Sequence, residues 1–319
     1  MTRRLLAIQG QDQRGARLAI RARSAGLTAA DVDHALTEER SLLITWLNRG
    51  TLHLVHRDDY PWLHALTAPQ LLSANARRLA QEGVTPARAE RGVATIERAL
   101  MDEGQLTRAQ LGERIAAAGV RTEGQALVHL LMLASLRGIA IRGPMAGSEH
   151  AYVLVRDWLG EAPRVDRAWA LAELARRYLA GHGPADDRDL ARWAGVRLRD
   201  ARAGLDAVSS EVVEHDGALE LAANRARRTP ALPPPKLLGA YDPVLLGWVS
   251  REAILAGHKQ LVTVNGLFRP FALVEGRAAA IWRLRRGEVE LEPLRPLSAS
   301  ERHALTRETR DAVRFLRTG

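Results

Sequence analysis

Glu123-Gly124-Gln125-Ala126-Leu127-Val128-His129-Leu130-Leu131-Met132-Leu133-Ala134-Ser135-Leu136-Arg137-Gly138 is the stretch that decides the fold. Leu127, Leu130, Leu131 and Ala134 recur at helical spacing and make one apolar stripe, and Gly138 supplies a stop. The spacing predicts a helix over Glu123–Arg137. Two helix starts precede it. Thr85-Pro86 opens a helix to about Met101, and Thr107-Arg108-Ala109-Gln110 is a capping box for another that closes at Gly119. After it come Ile139–Arg142, a Gly143-Pro144 turn and Tyr152–Val155. Three helices followed by a hairpin describe a winged helix.

The same order recurs on both sides. Upstream, Leu5–Ile8 reads as the end of a helix and Asp12 as the N-cap of the next. Thr28-Ala29-Ala30-Asp31 caps a helix to about Glu39. Ser41–Leu47, Asn48-Arg49-Gly50 and Thr51–Val55 form a hairpin. Asp58-Asp59-Tyr60-Pro61 and Ala68-Pro69 start two connecting helices. Downstream, Asp166–Ala180, Asp187–Ala194 and Leu198–Val208 are helices, with a stop at His182-Gly183-Pro184. Glu211–His215 and Leu219–Leu221 form a hairpin around Asp216-Gly217.

Past a proline-rich linker at Pro230–Pro235 the pattern turns to β. Strands are expected at Gln260–Val264, Leu267–Val274, Ala278–Arg283 and Glu288–Pro293, then a helix capped by Ser298-Ala299-Ser300-Glu301. The expected fold is α+β and mainly α: three tandem winged-helix domains, a small C-terminal β-barrel and a terminal helix. The boundaries fall at 1–83, 84–162, 163–229 and 230–319.

At 319 residues the chain is long enough for several cores, and 46% hydrophobic with 26% charged residues is ordinary for a soluble globular protein. No run approaches the roughly 18 apolar residues of a membrane span, and the N-terminal apolar run is too short for a signal peptide. The absence of cysteine excludes disulfides, thiol catalysis and cysteine-held zinc. These features predict a cytoplasmic protein. The formal charge of +9 favours an acidic partner such as nucleic acid. Residues 1–83 carry a surplus of three positive charges, 84–235 a surplus of one, and 236–319 a surplus of five. If the protein holds DNA, its ends are expected to do much of it.

No phosphate loop, dinucleotide fingerprint, GxSxG elbow or HExxH occurs. His53 and His56 straddle a strand end and read as hairpin histidines, so no metal and no cofactor are expected. What remains is Gln9-Gly10-Gln11. Two glutamines one residue apart cannot share a face of a continuous helix, and Gly10 lets the backbone break. With Asp12 as N-cap, both amides converge on a helix N-terminus, which suits an anion or a polarised water. A polar helix–helix turn has the same residues, and both readings stay open on this evidence.

Several stretches resemble one family, the AlkZ-like winged-helix DNA glycosylases with their related YcaQ-like branch. They are Ile8-Gln9-Gly10-Gln11-Asp12, Thr45-Trp46-Leu47-Asn48-Arg49-Gly50-Thr51-Leu52-His53-Leu54-Val55, and Ala175-Arg176-Arg177-Tyr178-Leu179-Ala180-Gly181-His182-Gly183-Pro184. Gly239-Ala240-Tyr241-Asp242-Pro243-Val244-Leu245-Leu246-Gly247 and Phe268-Arg269-Pro270 follow in the family's order, so the likeness spans nearly the whole chain. The resemblance implies three winged helices and a barrel around duplex DNA, with removal of alkylated purines and unhooking of interstrand crosslinks. It also implies a catalytic Gln-x-Gln, here Gln9 and Gln11. The middle residue is usually aliphatic and Gly10 departs from that. The resemblance implies one or two further helices ahead of the motif, so either the first winged helix is truncated here or the start codon lies upstream.

The chemistry fits amides. A purine alkylated at N7 is already cationic and leaves as a neutral base, so the remaining task is to hold a water against an oxocarbenium-like sugar. Asp12 reads as an N-cap, with a stronger base as its other role. A Schiff-base lyase needs a placed amine. Lys236 and Lys259, the two lysines, lie outside these stretches, so a monofunctional enzyme is expected. Arg49, Thr51 and His53 are assigned to DNA backbone or lesion, with hairpin structure as their alternative role. Phe268 and Arg269 are assigned to a groove-contacting loop, or else to a buried ring and a surface cation. Asp242 reads as a turn residue.

The function expected is hydrolysis of the N-glycosidic bond of N7- or N3-alkylpurines in double-stranded DNA, crosslinks included. The enzyme would be a nucleoid-associated monomer serving base excision repair or self-resistance to an alkylating product. The rival is a non-catalytic winged-helix DNA-binding protein or transcription regulator.

Overall fold

The computed structural model describes residues 1–225, 232–263 and 265–317. The chain folds as two compact units. One comprises Asp33–Leu171 with Ala194–Val196; the other comprises Met1–Val32, Ala172–Trp193 and Arg197–Gly319. The architecture is α+β, with helices predominating.

The first unit is built on the helix Ala126–Leu136, in which every residue except Val128 and His129 is buried. A helix apolar all round belongs at the centre of a core. It begins three residues later than the sequence suggests, because Gly124 sits at φ +61° and Glu82 Oε2 takes the Gln125 N–H at 3.0 Å. Pro86–Glu103 and Arg108–Ala117 pack on it through glycines. A Cβ at Gly92 or Gly112 would stand 3.0 Å from Leu130 or Leu127. The predicted capping box at Thr107 and Gln110 is present.

The strands Thr51–His56, Leu42–Leu47, Ala140–Ala146 and Glu149–Leu154 lie antiparallel in that order. The first two predicted hairpins therefore belong to one sheet, joined where Ile44 pairs with Arg142. The turn expected at Gly143-Pro144 is not a turn. Strand Ala140–Ala146 runs through it with a register shift between Arg142 and Met145, and the chain reverses at Gly147, φ +65°. Proline has no N–H for the ladder, and a bulge tolerates that loss.

The second unit holds the N-terminal residues. Thr2–Leu5 is helical, but the rest of the apolar run is the strand Ala7–Gln9, not a helix end. Leu6 at φ 66° breaks the helix, and four consecutive buried residues fit an extended chain better than one helix face. Helix Gln13–Arg21 follows, capped by Asp12 as expected. Helices Asp187–Ala194 and Leu198–Ala207 and the hairpin Val212–His215/Ala218–Leu221 lie where the sequence places them.

The C-terminal sheet runs Glu288–Pro293, Arg277–Arg285, Phe271–Val274, Lys236–Leu238. It is open among the described residues, with those outer strands as two edges. Its fourth strand is Lys236–Leu238, directly after Pro233-Pro234-Pro235. Gln260–Val264 was expected to supply it; instead Lys259–Leu261 is a 3-10 turn and Val262 makes a single bridge to Phe268. Val264, and Pro230 with Ala231 of the expected linker, lie outside the described residues. Helix Ala299–Arg317 closes a core of Leu18, Leu237, Trp282, Leu305, Ala312 and Phe315.

A buried ion cluster ties the first helix of this core to the last. Arg21 and Glu308, 4% and 7% exposed, are paired, and Arg21 also reaches Asp311 at 2.6 Å and the Leu237 carbonyl at 3.1 Å. Glu308 in turn accepts the Leu237 N–H at 2.9 Å. Removing one partner of a buried pair strands the other charge, at a cost of about 3–5 kcal/mol. Glu308→Ala is therefore expected to lower unfolding free energy by about that amount in a denaturant titration, whereas Arg21→Met with Glu308→Leu is expected to recover most of the loss.

Candidate active site

Between the end of strand Ala7–Gln9 and the cap at Asp12 lie only Gly10 and Gln11, so the chain reverses tightly with both glutamines at the bend. Gln9 is 6% exposed and Gln11 is exposed. Gln9 Nε2 donates to Gln11 Oε1 at 2.7 Å, so the two amides meet directly. A carbonyl oxygen has two lone pairs, and Gln11 Oε1 keeps one for a further donor. Asp12 Oδ1 accepts the Arg14 N–H at 3.1 Å, which is the N-cap role of the two weighed for it.

The bend is held from behind by backbone. A Cβ on Gly239 would stand 2.6 Å from Gly15 Cα, and a Cβ on Gly15 would overlap the Ala240 carbonyl oxygen. Two residues on, Arg23 forks onto Asp242 at 3.0 and 2.5 Å, and Asp242, wholly buried, also caps Val244 N–H at 3.0 Å. Burial opposes the charge on Arg23, but Asp242's charge and hydrogen bonds outweigh it and raise the Arg23 pKa. Asp242 is thus a turn and pairing residue, as read. Tyr241, at φ 58°, has its pKa raised first by burial and then by the Asp12 carboxylate.

The His182 stretch packs on the same segment. Tyr178 OH donates to the Gly247 carbonyl at 2.6 Å, and the Tyr178 and His182 rings stack at 5.1 Å. Gly247 is required there, since a Cβ would lie 2.5 Å from His182 Cδ2. Burial lowers His182 to about 4, so the ring is neutral at pH 7.

Arg49, Thr51 and His53 lie in the other unit, on the hairpin whose turn uses Asn48 at φ 52° and Gly50 at φ 80°. Arg49 and Thr51 are half-buried; His53 is 3% exposed, with Nδ1 at 2.9 Å from the Thr51 carbonyl. Burial, then the Arg49 charge, push His53 down to about 3, so it works as a neutral imidazole. Gly195 presses on this turn, its Cβ direction meeting the Asn48 carbonyl carbon at 2.8 Å. Phe268 and Arg269 belong to the unit that holds the glutamines. Phe268 is half-buried against Tyr241, ring centroids 5.4 Å apart, which is neither a core ring nor a free one.

Residues 2–315 match the family model described as DNA glycosylase AlkZ-like. The chain belongs to the AlkZ-like DNA glycosylases. A relative described as an interstrand DNA cross-link repair glycosylase, from Streptomyces sahachiroi, is 26% identical over 331 residues, covering 94% of this chain and 87% of its own. The solved structure of Streptomyces sahachiroi DNA glycosylase AlkZ superposes with a TM-score of 0.78 at 23% identity, over 98% of this chain and 89% of that one, and shows the shared fold.

Within this AlkZ-like chain some polar residues escaped the sequence reading. Asn48 is fully buried with neither side-chain Nδ2 nor Oδ1 hydrogen-bonded among the described residues, and the buried Thr45 hydroxyl is in the same condition. The signal was present: a buried strand that is apolar except at Thr45 has no packing reason to place that threonine opposite His53. The support behind the glutamines gives a direct expectation. Gly15→Ala must push the Gly239-Ala240 backbone away, so it should cost about 1–3 kcal/mol of stability. Base release should fall well beyond what the loss of folded protein explains, measured by thermal unfolding and single-turnover rate on one preparation.

Proposed function

We propose that this AlkZ-like enzyme is a monofunctional DNA glycosylase that hydrolyses the N-glycosidic bond of alkylated purines, N7 and N3 adducts and interstrand crosslinks among them. Gln9 and Gln11 position the attacking water. The observation that carries this reading is the 2.7 Å contact between the two amides at the capped N-terminus of helix Gln13–Arg21. Amides so joined present fixed dipoles, and an anomeric centre turning cationic is stabilised by carbonyl oxygens that need no reorganisation. A neutral amide deprotonates water poorly, so the enzyme relies on a leaving group already activated by its positive charge. That restricts it to labile, cationic lesions.

The two lysines support hydrolysis without strand cleavage. Lys236 lies 3.5 Å from Glu308 in the ion cluster of the core, and Lys259 sits in the 3-10 turn Lys259–Leu261. The name of the Streptomyces sahachiroi relative supports crosslinks as substrates. We read the three helix–hairpin segments as winged helices on duplex DNA, the C-terminal sheet as the family's small barrel, and Arg49, Thr51, His53, Phe268 and Arg269 as contacts to backbone or lesion. The enzyme acts as a monomer on the nucleoid. No helix among the described residues is long and apolar enough to cross a membrane.

The test is a duplex carrying one N7-methylguanine, scored for alkali-labile abasic sites. Wild type should release the base. Gln9→Ala and Gln11→Ala should each slow release on the order of 10²-fold with duplex affinity unchanged. Release by both variants at the wild-type rate would remove the glutamines from the mechanism; none from wild type would favour a binding protein without catalysis.

A further inference from the structure

Three planar groups stand in series in the unit that contains Gln9. The Tyr241 and Phe268 rings are 5.4 Å apart at 45°, and the Arg251 guanidinium lies 5.2 Å from the Phe268 centroid. All three residues are half-buried, and Val249 and Leu267 beside them in sequence are 53% and 56% exposed. Two contacts position Arg251: its Nε donates to the Leu245 carbonyl at 2.6 Å, and its guanidinium carbon lies over the Phe268 ring. Among the described residues no hydrogen bond engages its two terminal nitrogens, which match the oxygens of a phosphate as a fork.

Arg21, Arg23, Arg176 and Arg295 each meet a carboxylate at 2.7 Å or closer. Arg251 has a carbonyl, a ring and, as its charged neighbour, another cation, Arg192. Burial first and that neighbour second lower its pKa, so the site gains from an anion.

We propose that Arg251 is a phosphate ligand for the DNA strand, and that Phe268 and Tyr241 form the ledge that orients it and stacks against the same strand. Aromatic rings interleaved with arginine are the usual means of holding an unpaired or distorted strand, since every base offers a ring face. The proposal rests on the DNA binding in the function above and not on the water-positioning pair.

The experiment is fluorescence anisotropy of an undamaged 20-base-pair duplex against salt, for wild type, Arg251→Gln, Arg251→Lys and Phe268→Leu. Arg251→Gln should weaken binding about tenfold and reduce the slope of log affinity on log salt by about one. Phe268→Leu should weaken binding while keeping the slope, because the cation remains. If Arg251→Gln does not fold, Arg251→Lys replaces it and should keep the slope but lose affinity several-fold. A merely structural arginine would lower thermal stability and leave the slope alone. Folded Arg251→Gln with wild-type slope and affinity overturns the proposal, and so does Arg251→Lys indistinguishable from wild type. A slope change in an enzyme that releases no base supports the phosphate contact and leaves the glutamine mechanism to fall alone.

Discussion

Backbone meets backbone where Gly239 lies on Gly15, and the unit that carries the glutamines depends on that approach. Side chains at either position would hold the N-terminal helix away from the segment that follows the proline-rich stretch. With both absent, helix Gln13–Arg21 comes close enough for Arg23 to fork onto Asp242 and for Arg21 to enter the ion cluster of Glu308. Residues more than two hundred positions apart are thereby fixed around one turn of helix. The Gln9–Gln11 contact is made at its free end.

The buried charges have a cost that the geometry offsets. An isolated arginine in a core is unfavourable, and Arg21 is tolerated because two carboxylates and a carbonyl share it. A purely apolar junction could be as stable, but it would not fix the rotation of the helix. Forked pairs at Arg21 and Arg23, two residues apart, constrain that rotation, which sets where the helix N-terminus points. Local chemistry at the bend thus depends on distant sequence.

Much of this was legible from residues alone, for identifiable reasons. Capping boxes at Thr28, Thr107 and Ser298 fall where predicted because they are local devices whose partners lie three residues away. Leu5–Ile8 was misread because a short apolar run carries no periodicity to separate strand from helix, and burial on every side decided for the strand. Gly143-Pro144 was misread because the same pair marks a turn or a bulge, and only pairing with a neighbouring strand distinguishes them. Within the site, the glutamines and the family stretches were visible as motifs. Asn48 and Arg251 were not, because what singles them out is the placement of their side chains in three dimensions: the Asn48 amide is buried without a hydrogen bond among the described residues, and Arg251 is held by a carbonyl and a ring.

The central claim is that Gln9 and Gln11 act as one unit on one water. The most direct measurement is a double-mutant cycle on single-turnover base release from an N7-methylguanine duplex. If the pair is a unit, Gln9→Ala with Gln11→Ala is no slower than the worse single variant, since either loss already frees the water. Effects that multiply, each glutamine contributing independently, would contradict the account.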